Sequence, residues 1–265
     1  MIPGIFIAGT GTDVGKTVIT AGVLRFLRRH AVVEQKASAG SAVSVGAVAA
    51  AEKSAAMVMK PVQTGCEAGA GVGRMRAPDI DFVLRAAGLD VDEETMAHMA
   101  PYCFAPACSP HLAARMTGQR IEMDRILASA QWLAERYRWL VVEGAGGVLA
   151  PLNESQNMLT VACEMQMPVL LVGQSGLGTI NHVLLSLEAM RRRGCQVLGV
   201  ILNDVQPVAE RDSYIHQDNV CAVHSFGKVA VTRIPHLSAA PGAPPEMSRL
   251  DAALDECEFL GEYRR

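Results

Sequence analysis

Short apolar runs recur along the chain, and several are followed by segments whose apolar residues are spaced three or four apart. The first run, residues 5–8, precedes such a segment from residue 16 to about residue 29. Runs that are apolar throughout are typical of strands buried on both faces. The pattern predicts an α/β fold with a doubly wound, mostly parallel sheet and helices on both faces. Further strands are predicted at 56–59, 139–142, 169–172, 197–202 and 229–233, and further helices at 80–87, 123–137, 180–193 and 247–260.

Two stretches lack this alternation. Residues 31–56 are rich in Ala, Ser, Gly and Val, and are predicted to be either a surface excursion or a poorly ordered insertion, between which composition does not decide. Residues 101–111, PYCFAPACSPH, hold too many prolines for regular structure and are predicted to form an ordered loop. With these two segments and a C-terminal tail and helix at 241–265, residues 1–265 are predicted to form a single domain.

Composition fits one α/β domain with a large core, because 50% of the 265 residues are hydrophobic and 19% are charged. The net charge is −3, and no basic run is interleaved with aromatic residues, so we expect no nucleic-acid surface. The basic cluster at 191–193 is better explained as the last turn of a helix, where cations oppose the helix dipole.

The sequence favours a cytoplasmic protein. Its apolar stretches are broken well short of the ~20 residues that a membrane span needs, and no charged segment of the signal-peptide type precedes the first strand. The seven cysteines are scattered and form no CxxC pair. We therefore expect free thiols, with neither a zinc site nor a disulfide framework.

The loop GTGTDVGKT, residues 9–17, lies between the first predicted strand and the first predicted helix. In that setting glycines let backbone N–H groups turn towards a phosphate, Lys16 reaches the terminal phosphates, and the Thr17 hydroxyl can bind Mg²⁺. Thr10 occupies the position where the commonest form of this motif has glycine, with Gly9 and Gly11 on either side. The loop predicts a site for a nucleoside triphosphate with Mg²⁺.

Polar residues follow three other predicted strands, and ligands of parallel sheets collect at such strand ends. Lys60 is either a second cation in that crevice or simply the first solvated residue after a strand. Glu143 precedes glycines, which favours a magnesium-binding element opposite the phosphate loop over a solvent-facing acid. Asn203 and Asp204 could bind a base or form a plain turn. Taken alone, Asp79 is better explained as the N-cap of the helix at 80–87, with metal binding as the alternative.

Several ordered motifs together resemble the dethiobiotin synthetase family, which acts at the penultimate step of biotin synthesis. They are GTGTDVGKT, KPVQTG at 60–65, Asp79 before a helix, PYCFAPACSPH, VEGAGG at 142–147, LGTINH at 177–182, and the pair Asn203–Asp204. The resemblance runs from about residue 5 to residue 237. It implies the P-loop NTPase type of fold and an ATP- and Mg²⁺-dependent ring closure. In that reaction 7,8-diaminononanoate and CO₂, or bicarbonate as its source, become dethiobiotin, ADP and phosphate by way of a carbamate and a mixed anhydride.

The resemblance also implies roles for individual residues. Lys60 and Lys16 match catalytic lysines, and Asp81 is a weaker alternative to Asp79 as a metal ligand. Gly11, where many members have Asp, and His236, where an aromatic is familiar, depart from the family pattern, and Asp13 stands where Glu is common. The implied metal ligands are Thr17, Asp79 and Glu143. The implied substrate-binding residues are Thr12, Thr64, Gly178, Thr179, Ile180 and Asn181. The implied ATP-binding residues are Asp13, Val14, Gly15, Lys16, Thr17, Val18, Asp79, Glu143, Gly144, Ala145, Gly146, Asn203, Asp204, Pro235, His236 and Leu237.

The segment 178–181 matches one that binds the substrate carboxylate across a subunit interface, so the resemblance also implies a homodimer. A P-loop ATPase switch of the partition or septum-positioning type is the main alternative. Such proteins carry an additional lysine near the position of Gly11 and often a membrane- or DNA-binding surface, and neither is visible in this sequence. A cobyrinate synthase of the amidotransferase type would need an attached glutaminase domain, for which no room remains after Leu237.

Overall fold

A parallel six-stranded sheet forms the centre of the computed structural model, which describes residues 2–39 (backbone only for 32–39), 53–69, 75–238 and 245–264. The strand order is β10-β9-β8-β1-β7-β2, with two small two-stranded sheets, β3-β6 and β4-β5, beside it. The predicted doubly wound α/β fold is confirmed. The strands are β1 Gly4–Gly9, β2 Ser54–Met59, β3 Val62–Thr64, β4 Glu67–Ala68, β5 Met75–Arg76, β6 Tyr102–Phe104, β7 Tyr137–Glu143, β8 Val169–Gln174, β9 Val197–Asn203 and β10 Val231–Ile234.

Helices flank the sheet. The apolar stripe of the first helix packs onto β1, β2 and β7, and Ile19, Val23 and Leu24 on that stripe are fully buried. The helices of the described residues are α1 Lys16–Ala39, α2 Pro78–Ala87, α3 Glu93–Met99, α4 Pro110–Met116, α5 Met123–Arg136, α6 Met158–Met165, α7 Thr179–Arg192, α8 Ser213–Gly227 and α9 Met247–Asp255, with short 3₁₀ helices at Glu210–Asp212 and Glu258–Arg264.

The prediction that the first helix ends near residue 29 is wrong, because α1 continues to Ala39. Residues 31–39 contain neither proline nor glycine, and their Ala, Glu, Gln and Lys residues are good helix formers, so the helix extends despite its weak apolar periodicity. At the other end of the predicted excursion, β2 already begins at Ser54. The central part of that excursion, residues 40–52, lies outside the described residues.

The proline-rich segment 101–111 is more regular than predicted. β6 lies between Pro101 and Pro106 and pairs in parallel with β3. Pro110 occupies the start of α4, where its missing N–H costs nothing and its fixed φ suits a helix. The prolines therefore mark the boundaries of short elements and do not exclude them.

The predicted N-cap role of Asp79 is wrong. α2 begins at Pro78 with Ala77 in the N-cap position, so Asp79 lies within the first turn and its side chain is directed elsewhere. The predicted closure of this helix by Gly88 is confirmed, because Gly88 adopts φ 63° and its N–H bonds to carbonyls of the last turn.

Smaller differences occur near the C-terminus. The predicted helix at 247–260 divides into α9 and a 3₁₀ helix, and the last strand lies at Val231–Ile234 and not at 229–233. The basic cluster lies at the end of α7 as predicted, where the Arg191 guanidinium also donates to the Gly227 carbonyl oxygen. All seven cysteines are within the described residues and are free thiols, as expected. Among those residues we find no helix with the length and apolarity to traverse a bilayer.

Candidate active site

An open cavity of about 730 Å³ lies at the carboxyl ends of β1, β7 and β2. β7 lies between β1 and β2 in the sheet, so the segments that follow these three strands meet at one edge. Their residues come from distant parts of the chain. The cavity is lined by Thr12, Asp13, Gly15, Lys16, Thr17, Lys60, Gln63, Thr64, Asp79, Ala107, Cys108, Ser109, Pro110, Glu143, Ala145, Gly146, Gly147 and Ala150.

The loop between β1 and α1 has the backbone shape of an anion site. Asp13 and Gly15 both have positive φ, 58° and 90°, and α1 starts directly afterwards at Lys16. Among residues other than glycine, Asp is one of the few that adopt a left-handed backbone conformation. The strained conformation of Asp13 therefore helps to shape the loop. The N-terminus of α1 faces the cavity with its unsatisfied N–H groups, an arrangement that favours phosphate.

Lys16 lies across this loop, and its Nζ donates to the Gly11 carbonyl oxygen at 2.7 Å. Lys16 is only 7% exposed. Burial, together with the nearby Lys60, lowers the pKa of Lys16 to about 8 against the opposite effect of the carboxylates of Glu143, Asp79 and Asp13. The carboxylates of the protein therefore do not fully offset the cost of burying the Lys16 ammonium, and an anionic ligand in the cavity would stabilise this charge.

Lys60 is bound on two sides by carboxylates. Its Nζ donates to Glu143 Oε1 at 2.8 Å and also to Asp79 Oδ2. Glu143 Oε1 accepts a further hydrogen bond from the Thr17 hydroxyl at 2.9 Å. Lys60, Glu143 and Thr17 thus join the ends of β2 and β7 to the first turn of α1.

The two carboxylates that contact Lys60 stabilise its positive charge. Burial disfavours the ammonium, but Glu143 and Asp79 together outweigh that effect and raise the pKa of Lys60 above its ordinary value. Lys60 is 5% exposed, and Glu143 is 1% exposed. The two lysines of the cavity therefore differ, because the pKa of Lys60 is raised whereas that of Lys16 is lowered to about 8.

Asp79 and Asp81 have different surroundings although they share one helix turn. Asp79 contacts Lys60 and lines the cavity. Asp81 accepts from the Arg76 guanidinium, with Nε at 2.9 Å, and does not line the cavity. Asp79 and Glu143 both accept a hydrogen bond from Lys60, so Asp79 is the aspartate whose carboxylate lies near Glu143.

The Thr17 hydroxyl and the carboxylates of Asp79 and Glu143 form a set of hard oxygen donors, which suits Mg²⁺. Among the described residues no three His, Cys, Asp or Glu side chains cluster in the manner of an all-protein metal site. Magnesium characteristically takes one or two carboxylates and completes its shell with phosphates and water. The residues present fit a metal that arrives with a nucleotide.

The remaining predicted nucleotide residues lie outside this cavity. Asn203 is buried, and its Nδ2 donates to the Val14 carbonyl oxygen at 3.1 Å, which ties the end of β9 to the phosphate loop. Asp204 accepts from Arg233 Nη2 at 2.7 Å, and its carbonyl oxygen lies 3.3 Å from His236 Nδ1. Val18, Gly144, Pro235 and Leu237 likewise do not line the cavity.

A second, smaller cavity of about 220 Å³ lies beside Asp204 and includes Ser175, Gly176, Val205 and His216. The end of β9 therefore borders this second cavity, and Asn203 links the same strand end to the phosphate loop.

The segment 178–181 is not part of the cavity. Gly178, with φ 90°, precedes the first turn of α7, and Asn181 is exposed. Leu177 beside it is 98% exposed. Nothing in the described part of a single chain brings this segment to Lys60.

Sequence reasoning gave no role to several residues that line the cavity. Gln63 and Gly147 lie within the motifs at 60–65 and 142–147, and Ala150 follows the second of these motifs. The segment from Ala107 to Pro110 closes another side, and its only signal was its place in the proline-rich motif. Its position depends on the pairing of β6 with β3, which local sequence does not reveal.

Comparisons with known proteins agree on one family. The family described as "AAA domain" matches residues 37–241. The ATP-dependent dethiobiotin synthetase of Geobacillus kaustophilus is 33% identical over 98% of this chain and 91% of its own length. That of Anoxybacillus flavithermus is 33% identical over 89% of this chain and 92% of its own, and the second one of Haemophilus influenzae is 36% identical over 75% and 90%.

Solved structures share the fold at low identity. The septum site-determining protein MinD of Pyrococcus horikoshii, complexed with Mg-ADP, superposes with a TM-score of 0.51 at 13% identity, covering 99% of both chains. A chain of the MinC:MinD cell division protein complex of Aquifex aeolicus gives 0.50 at 11% identity, covering 95% of this chain and 86% of that one. At such identities the likeness concerns the P-loop fold alone and does not favour the switch-ATPase alternative. On the sequence relatives, the chain belongs to the ATP-dependent dethiobiotin synthetase family.

Proposed function

We propose that this protein catalyses the ATP-dependent closure of a cyclic urea, converting 7,8-diaminononanoate and CO₂ to dethiobiotin with release of ADP and phosphate. Membership of the dethiobiotin synthetase family supports the reaction. The observation that supports assigning this reaction to particular residues is the cluster of Lys60, Glu143, Asp79 and Thr17 beside the phosphate loop.

The chemistry brings two anions together. One amine of the substrate attacks CO₂ to give a carbamate, and a carbamate oxygen then attacks the γ-phosphorus of ATP as ADP leaves. The second amine attacks the carbamoyl carbon of the resulting mixed anhydride, the ring closes, and phosphate leaves. Because carbamate and γ-phosphate repel each other, the protein must hold fixed positive charge between them.

Lys60 and Lys16 are suited to supply this positive charge, one towards the carbamate and the other towards the phosphates of ATP. Lys16 starts α1 and is within the phosphate loop, so it is proposed to bind the β- and γ-phosphates. Lys60 follows β2, which β7 separates from β1 in the sheet, and is proposed to bind the carbamate and the transferred phosphoryl group. Its two carboxylate partners keep it protonated, so it serves as a permanent cation.

We propose that Thr17, Asp79 and Glu143 hold Mg²⁺, on the strength of their convergence and their oxygen donors. When bound, the metal offsets the charge of the β- and γ-phosphates. Thr12 and Thr64 line the same cavity and are proposed to contact the diamine, with Asp13 near it. The residues 14–18 and 144–146 are proposed to surround the phosphates.

We propose that the adenine lies beyond the phosphate loop, beside Asn203. Asn203 donates its amide N–H to Val14, which leaves its Oδ1 as the group that can accept from an amino-bearing base. Asp204 and the segment 235–237 are nearby, as the contact between His236 and the Asp204 carbonyl indicates.

We propose that the active unit is a homodimer in which 178–181 of one protomer binds the substrate carboxylate of the other. The segment opens the 14-residue helix α7, whose N–H groups suit a carboxylate. It is remote from the cavity lining of its own chain. Leu177 and Leu185, 98% and 61% exposed, give this end of α7 an apolar surface suited to a second copy.

ADP release is the direct test. Purified protein is incubated with ATP, Mg²⁺ and bicarbonate, with and without 7,8-diaminononanoate. The proposal predicts ADP release that depends on the diamine. Turnover of ATP that is indifferent to the diamine would contradict the proposed reaction and leave only a nucleotide site.

A further inference from the structure

Two thiols meet at the edge of the sheet opposite the candidate active site. Cys163 lies near the end of α6 and Cys195 follows α7, and their Sγ atoms are 3.1 Å apart although 32 residues separate them in the chain. α6 ends next to the start of β8, and Cys195 precedes β9, so the pair is at the amino ends of these strands. Neither cysteine is part of the chemistry proposed above.

Both cysteines are held by the same kind of helix ending. After α6, Gln166 takes a left-handed conformation, its N–H bonds to the Cys163 carbonyl at 3.0 Å, and the next N–H bonds to Ala162 at 3.3 Å. After α7, Gly194 is left-handed and the Cys195 N–H bonds to the Met190 carbonyl at 3.1 Å. These paired closures are Schellman motifs, so the backbone of each cysteine is fixed by the end of its helix.

The separation of the sulfur atoms decides what the pair can do. Two thiolates on one tetrahedral metal are about 3.8 Å apart, given metal–sulfur bonds of about 2.3 Å. The observed 3.1 Å is shorter than that. A disulfide bond is about 2.05 Å long, so the sulfurs need to approach by only about 1 Å, which side-chain rotation can supply. The geometry favours a bond between the sulfurs over a metal between them.

The pair is accessible from solvent. Both side chains are half-buried and line an open depression of about 340 Å³ with Gln166, Pro168 and Arg193. Burial, with the neighbouring Cys163, raises the pKa of Cys195 to about 12. The two sulfur atoms are close enough to share a hydrogen bond, in which either thiol can be the donor.

We propose that Cys163 and Cys195 form a redox-modification site, which a hydroperoxide converts to a reversible intramolecular disulfide. One of the two sulfurs, as its thiolate, attacks the peroxide oxygen and becomes a sulfenic acid, and the departing alkoxide or hydroxide takes up the proton that this thiol released. The other sulfur then attacks the sulfenic sulfur, and the hydroxyl leaves with the proton of the second thiol as water. Two thiols and one hydroperoxide yield one disulfide, one alcohol and one water.

The bond would join the carboxyl-terminal ends of two helices, α6 and α7. α6 follows the glycine loop after Glu143, and α7 begins with the segment proposed to contact the substrate carboxylate. Oxidation would thus link the far ends of α6 and α7 without touching a group of the cavity.

The test uses the full-length protein and hydrogen peroxide at a few equivalents. Remaining thiols are then alkylated, and the protein is digested without reductant for mass spectrometry. The proposal predicts a peptide pair joined through Cys163 and Cys195, two hydrogens lighter than the separate peptides and released by dithiothreitol. The exposed Cys221 supplies the matched control, because Cys221→Ser retains the link whereas Cys163→Ser and Cys195→Ser both lose it.

Two results would overturn the proposal. One is full alkylation of Cys163 and Cys195 after peroxide treatment that already oxidises Cys221. The other is a link from either residue to a different cysteine, such as Cys103, or to a second protein molecule. The wild-type measurement decides the matter even if one of the serine variants fails to fold.

Discussion

Lys60 Nζ donates to Glu143 Oε1 at 2.8 Å, which joins two nearly inaccessible charges from the ends of neighbouring strands. A buried ion pair of this kind is weak evidence for stability, since desolvation offsets much of its attraction. Its place beside the phosphate loop gives it a functional explanation. Several of the expected outcomes below depend on this pair.

Lys60→Gln is expected to reduce turnover by roughly 100-fold or more, because a fixed cation facing the carbamate and phosphoryl group is lost. Nucleotide binding should persist, since Lys16 and the loop backbone are unchanged. Steady-state kinetics and nucleotide titration measure the two effects, and thermal melting verifies the fold. Lys228→Gln, on the exposed surface, is the matched control. Full activity in Lys60→Gln would remove Lys60 from the mechanism.

Asp79→Asn and Glu143→Gln are each expected to raise the Mg²⁺ concentration needed for half-maximal activity by about tenfold or more, because each removes a charged oxygen ligand. Asp81→Asn is the control, since Asp81 is on the same helix but pairs with Arg76. Magnesium titrations of the three variants provide the comparison. Equal responses of Asp79→Asn and Asp81→Asn would contradict the assignment of Asp79.

Gly15→Ala is expected to abolish detectable nucleotide binding. A Cβ at Gly15 would lie 2.1 Å from Asn203 Nδ2, and the backbone there has φ 90°, which L side chains rarely adopt. Gly11→Ala, in the same loop, would meet no atom within 4 Å and should bind nucleotide much as the wild type does. Calorimetric titration with ADP distinguishes them. Normal binding by Gly15→Ala would show that the Asn203 contact with this loop is dispensable.

Affinity for ATP is expected to fall by about tenfold between pH 7 and pH 9. The pKa of Lys16 is lowered to about 8, so its ammonium is present below that pH and lost above it. Binding of an anionic triphosphate favours the protonated form, and titration near pH 8 should therefore take up protons. Lys16→Arg stays charged over the whole range and should show a flat profile, whatever its absolute affinity. A flat wild-type profile would contradict the low pKa.

Co-expression of Lys60→Gln and Asn181→Ala chains tests the shared site. Each variant alone is expected to be inactive, but a mixed dimer pairs the intact cavity of one chain with the intact 178–181 segment of the other. With random pairing, about a quarter of the wild-type sites should be restored. Activity no greater than that of the parent variants would mean that segment and cavity do not meet across a subunit interface.

Much of the fold follows from the sequence because parallel strands buried on both faces are apolar throughout. β1, β7, β8 and β9 all lie where such runs predict them, with differences of a residue or two at their ends. α8 was missed because few of its residues, Asn219, Val223 and Gly227, are buried, so its apolar stripe is faint. α6 was missed although Asn157 and Thr160 form a capping box at its start.

The candidate site likewise contains residues that could be predicted from the sequence and contacts that could not. Lys60 and Glu143 could be identified because strand ends of a parallel sheet share one edge, whatever the strand order. The contact between Asn203 and Val14 could not, since it joins residues 189 positions apart through packing of the loop against β9. The preference for Asp79 as an N-cap from its local sequence failed because Pro78, pre-organised for a helix, starts α2 two residues earlier than predicted.

The most direct measurement follows carbon from bicarbonate into product. Purified protein is given ATP, Mg²⁺, 7,8-diaminononanoate and ¹³C-bicarbonate, and ADP and dethiobiotin are quantified together by mass spectrometry. The account predicts equal amounts of the two products, with one labelled carbon in each dethiobiotin, and roughly 100-fold or more less of both from Lys60→Gln. ADP formed without labelled dethiobiotin would contradict the account.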